Sequence, residues 1–126
     1  MSFSNYLETK ILDHVFAGTA YTAPATLYVA LFTTAPGEAG GGTEISGSGY
    51  ARQSVAFTTT GDTTSNTAAV EFPTASGSWG TISYAAVYDA LTSGNQMCYA
   101  TLASAKTIAS GDVFRIPTGD LDITLD

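Results

Sequence analysis

His14 and Cys98 are the only residues of their types in this 126-residue sequence, and both have side chains able to do chemistry. A hydrolytic site needs a nucleophile, a base and a group that orients the base. Asp13, beside His14, projects about 100° away around a helix and so does not face the imidazole. No G-x-S-x-G elbow occurs either. His14 therefore reads as a surface residue, and Cys98, between Met97 and Tyr99, as a buried inert thiol. No catalytic residue is assigned, and the chain is read as not an enzyme. A single cysteine and a single histidine exclude an intrachain disulfide, a Cys-built zinc site and a multi-His metal site.

Carboxylates are the remaining ligand donors. Asp112, Asp120, Asp122 and Asp126 cluster near the C-terminus with oxygens suited to a hard cation. Their spacing matches no EF-hand loop, and outward charges on an edge strand serve to discourage aggregation. No metal and no cofactor is assigned. The glycine-rich run at 39–49 contains no G-x-x-x-x-G-K-[ST], and Gly47-Ser48-Gly49-Tyr50-Ala51-Arg52 lacks the third glycine of a dinucleotide fingerprint. Trp79, Tyr84, Tyr88, Tyr99 and Tyr50 have the chemistry of a sugar-binding face. The commoner use of such residues is to fill a core or a subunit interface.

Four basic residues stand against eleven acidic ones, a net charge of −7. That balance argues against nucleic acid and against an anionic membrane surface, both of which attract a Lys/Arg excess. The longest apolar run, residues 27–32, is far short of the roughly 20 residues of a membrane span. The N-terminus lacks a charged region followed by an apolar one, so no secretory signal is expected.

The elements that would position these residues change period along the chain. Leu7, Ile11 and Val15, with Leu12 and Phe16 beside them, mark an amphipathic helix over 5–17. Asn5 is its expected cap, Glu8 its capping-box partner and Gly18 its stop. Afterwards the period is two. Residues 26–34 are apolar on both faces, Leu27, Val29 and Leu31 on one and Tyr28, Ala30 and Phe32 on the other, as in a central strand. Further strands are expected at 50–57, at 67–72 with Ala68, Val70 and Phe72 inward, and at 81–89 with Ile82 in phase with Tyr84, Ala86 and Tyr88. Runs at 96–103, 113–116 and 121–125 complete the set, the last with Leu121, Ile123 and Leu125 inward. Turn signals such as Thr60-Gly61-Asp62 and Ser93-Gly94-Asn95 separate them. The fold class is mainly all-β: one antiparallel, jelly-roll-like β-sandwich domain over 1–126 with one short N-terminal α-helix.

One long loop, residues 36–49, interrupts this pattern. Gly40, Gly41 and Gly42 lose more backbone entropy on ordering than other residues do, so a partner subunit is expected to supply the contacts that order it. Glu38, Gly40, Gly41, Gly42, Glu44, Ile45 and Tyr50 are the expected partner-binding residues.

The runs TAYTAPATLYVALFTTAP (19–36), ISGSGYAR (45–52), NTAAVEFP (66–73), WGTI (79–82) and LDITLD (121–126) occur in that order. Together they resemble a family of short tailed-bacteriophage virion proteins, often called tail-fibre or minor structural proteins. The resemblance implies a non-enzymatic structural protein, made in the host cytoplasm and residing on the exterior of the virion. Its implied partners are other copies of itself, a trimer among the orders open to it, and capsid or tail proteins. Both a head decoration (cement) role and a tail-fibre or tail-tip role fit. The competing reading is a carbohydrate-binding β-sandwich that uses the aromatic face to contact host glycans.

Overall fold

A computed structural model describes residues 1–125. Along the chain run β1 (Ser2–Phe3), α1 (Asn5–Val15), β2 (Leu27–Thr34), β3 (Thr43–Glu44), β4 (Gln53–Val55), β5 (Phe57–Thr60) and β6 (Thr63–Asn66). There follow β7 (Val70–Glu71), β8 (Gly80–Tyr88), β9 (Gln96–Ile108), β10 (Arg115–Ile116) and β11 (Asp122–Thr124). All pairings are antiparallel. The large sheet has the order β1-β9-β8-β2-β3, with β4 on the same edge of β2 opposite residues 27–29. Two smaller sheets, β10-β7 and β11-β6-β5, form the other layer.

The core lies between these layers. Val29 and Leu31 of β2 and Ala85 and Val87 of β8 meet Val70, Phe72, Phe114, Ile116 and Leu121 from the small sheets and their flanks. Each such aliphatic or aromatic side chain contributes about 1.5–3 kcal/mol by leaving water. On the opposite face of the large sheet, Tyr28 pairs with Tyr88, Phe32 with Tyr84 and Ala86 with Tyr99. Ala30, Phe32 and Ala86 are buried there, with Tyr84, Tyr88 and Tyr99 packed against them. The mainly antiparallel β architecture with a single short helix, and the two faces assigned to β2, are as the sequence indicates.

Five local expectations are corrected. The cap of α1 is Ser4, not Asn5: its Oγ accepts from the Leu7 N–H (3.2 Å) and donates to the Gln96 carbonyl. Ser4 N–H also donates to the Met97 carbonyl at 2.8 Å, so pairing with β9 decides which residue starts the helix. The helix ends at Val15, two residues early. Its terminal turn closes as Thr19 N–H reaches the Asp13 carbonyl (2.9 Å) across Gly18, whose φ of +74° suits a residue without Cβ. In β8 the register against β9 slips between Ile82 and Tyr84, so Ile82 joins Ala85 and Val87 in the core rather than Tyr84, Ala86 and Tyr88. At the remaining ends, Leu121 and Ile123 pack inward but Leu125, just past β11, is 59 % exposed, and Ala68 also lies in solvent ahead of β7.

Candidate functional site

The 36–49 loop is ordered by the chain's own contacts. Its anchor is Arg52, only 8 % exposed, whose position between two loops lets the planar guanidinium use every edge. Nε and Nη2 donate to Oε2 and Oε1 of Glu44, both at 2.8 Å, a bidentate ion pair. Nη1 donates to the carbonyls of Ala90 (2.9 Å) and Ser93 (2.8 Å), and the guanidinium carbon sits 3.9 Å from the Tyr88 ring centre. The hydrogen bonds to Glu44 hold the Arg52 pKa above its usual value, against the cost of burial. Tyr50 completes the cluster by donating to Glu44 Oε2 (2.7 Å) and accepting from the Leu31 N–H (3.0 Å). Burial is the largest cause of its raised pKa.

Further bonds fix the rest of the loop. Ile45 is buried and its N–H donates to the Leu31 carbonyl at 3.0 Å. Trp79 Nε1 donates to the Ser48 carbonyl (2.9 Å), and the Tyr50 ring stacks on Phe72 and meets Trp79 edge-on. At Gly42 a Cβ would lie 2.6 Å from the Thr34 carbonyl oxygen, in a backbone with φ of +69°, so glycine is required. Of the expected partner-binding residues, Glu44, Ile45 and Tyr50 thus face into the molecule. Glu38, Gly40, Gly41 and Gly42 remain exposed at the loop tip.

The five aromatic residues of the proposed sugar-binding face divide. Tyr84, Tyr88 and Tyr99 lie on the outer face of the large sheet, whereas Trp79 and Tyr50 belong to the core cluster. Tyr28, opposite Tyr88, joins the outer set. Arg52 is the residue that sequence reasoning missed. Its only signal is a cation, one of four, set among small and apolar residues.

The other candidates are engaged locally. His14 Nδ1 accepts from the Tyr21 N–H at 3.1 Å. Cys98, opposite Phe3 of the neighbouring β1, is buried, and desolvation pushes its thiol up to about 12. Asp112 Oδ2 accepts from the Ala109 N–H (2.9 Å) and Asp122 from Ser65 Oγ; Asp126 lies outside the described residues. Among the described residues no three His, Cys, Asp or Glu side chains converge as metal ligands, and no helix is long and apolar enough to cross a membrane.

One surface feature stands apart from this internal bonding. Tyr6 and Leu7 of α1 pack against the core, but Leu12, Val15 and Phe16 are 57 %, 61 % and 79 % exposed. Large apolar side chains grouped in water mark interaction surfaces.

Comparison with curated proteins gives no match. Residues 2–124 match the model of the family described as Podophage GP4 fiber I protein gp80. Because that match takes in nearly every residue, from β1 to the end of β11, the chain belongs to this family of phage fibre proteins.

Proposed function

We propose that the protein is a non-enzymatic structural component of a tailed-phage fibre that assembles with copies of itself and with other virion proteins. The observation that carries this reading is the family match over residues 2–124. It favours the fibre over the head-decoration role, because the matched family is described as a fibre protein. The exposed Leu12, Val15 and Phe16 supply an apolar surface for assembly, and the loop tip at Glu38, Gly40, Gly41 and Gly42 supplies a second contact. The local engagement of His14 and the buried Cys98 thiol support a role without catalysis.

Immunogold electron microscopy of intact particles tests this placement. Label on the fibres is expected. Label spread over capsid faces, at a copy number near that of the capsid protein, would instead support the decoration role.

A further inference from the structure

A half-open apolar cavity of about 240 Å³ lies between the layers, beside the first turns of α1. Buried Val87, Met97 and Cys98 form its floor, and half-buried Leu7, Phe57, Thr64 and Ile123 belong to its rim. No charged side chain lines it, so it selects an occupant by apolar shape. Walls without a facing atom forgo dispersion contacts, and an apolar space of this kind stays dry. A cavity of about 150 Å³ suffices for one benzene molecule. This one therefore admits a phenyl ring together with part of a neighbouring side chain.

The same chain carries a phenyl ring with nothing to pack on. Phe16, 79 % exposed, heads the patch that Leu12 and Val15 extend. It cannot turn back into its own cavity. Phe16 stands nine residues beyond Leu7, a rise of about 13.5 Å along a helix. The helix end is held there by the Phe16 N–H on the Leu12 carbonyl (2.9 Å) and the Thr19 N–H on the Asp13 carbonyl (2.9 Å). The ring that fills the cavity must come from another molecule, and every second copy presents one. We propose that the cavity receives Phe16 of a second copy, with Leu12 and Val15 of that copy packing on the rim. This rests on the reading of the chain as a self-assembling fibre component and names the surface that α1 meets. Exchange in both directions closes a two-fold pair, whereas exchange in one direction repeats into an open array. The same ring and cavity serve either.

Sedimentation velocity over a concentration series tests the contact on the full chain as wild type, Thr64→Trp and Glu71→Trp, each checked by circular dichroism. Thr64→Trp fills the mouth of the cavity, leaves the exposed patch of α1 unaltered and should weaken self-association about tenfold or more. Glu71→Trp, on β7, adds an indole away from the cavity and should leave association unchanged. A second measurement does not depend on the fold of a Trp variant. Phe16 is replaced by p-benzoylphenylalanine, and the protein is mixed with ¹⁵N-labelled wild type and irradiated. Cross-links should run to Leu7, Phe57, Met97 or Ile123 of the labelled copy. The proposal is overturned if folded Thr64→Trp associates as the wild type does. Cross-links that fall outside the cavity, stay within one chain or, in assembled particles, reach only a different protein also overturn it. A wild type that is monomeric at every concentration overturns the self-assembly reading as well, which tells the two failures apart.

Discussion

In the 36–49 loop a glycine-rich run is bonded at both ends and in its middle, whereas the last turns of α1 carry large apolar side chains that remain in water. The loop joins β2 to the hairpin at 89–95 through one buried guanidinium, and Trp79 and Ile45 tie it to the core. The helix touches the core through Tyr6 and Leu7 and then runs past it. Order in the first region therefore comes from long-range polar partners that offset the entropy of three consecutive glycines. Exposure in the second leaves an apolar surface, the one proposed for assembly.

Three changes probe the ordered side of this comparison, in falling order of expected effect. Arg52→Ala leaves Glu44 partly buried without its partner and frees two carbonyls, so urea denaturation should show a loss of about 3–5 kcal/mol. A loss below about 1 kcal/mol, the range of exposed pairs, would mean that the cluster does not hold the loop. The packing of Cys98 predicts an alkaline effect. The folded thiol keeps its proton to about 12 against an ordinary 9.0, so above pH 9 the unfolded chain binds fewer protons than the folded one. The thiol's contribution to stability is then constant below pH 9 and falls as pH rises towards about 12, so the alkaline fall should be shallower in Cys98→Ala. Equal slopes for the two proteins would show that the thiol is not desolvated. Gly42→Ala forces a Cβ against the Thr34 and Ala35 carbonyls at positive φ, which should cost about 1–3 kcal/mol in the same denaturation. A neutral result would mean that the loop relaxes there freely.

Much of the architecture was legible because side-chain period is a local property. The alternation of Leu27, Val29 and Leu31 with Tyr28, Ala30 and Phe32 identified both faces of the central strand. Phase failed at Ser83, where the slip arises from pairing with β9 and leaves no mark in the sequence of β8. The candidate site was less legible for the same reason. Glu44 and Arg52 are eight residues apart, and only the path of the loop brings them into contact. Glycine content indicated freedom at 40–42 but not the bonds made by Glu44, Ile45 and Tyr50. The stripe on α1 was read correctly as apolar, yet periodicity does not reveal whether anything covers it.

The exposed side of the comparison is tested by self-association. Phe16→Asp should change monomer stability by less than about 0.5 kcal/mol, the usual range for surface positions. Sedimentation velocity over a concentration series, on wild type and on Phe16→Asp with matched circular dichroism, measures the central claim of assembly through α1. The account predicts a concentration-dependent oligomer for the wild type and a monomer, or a marked shift towards monomer, for the variant. A wild type that stays monomeric at every concentration, or a variant that assembles as the wild type does, would contradict it.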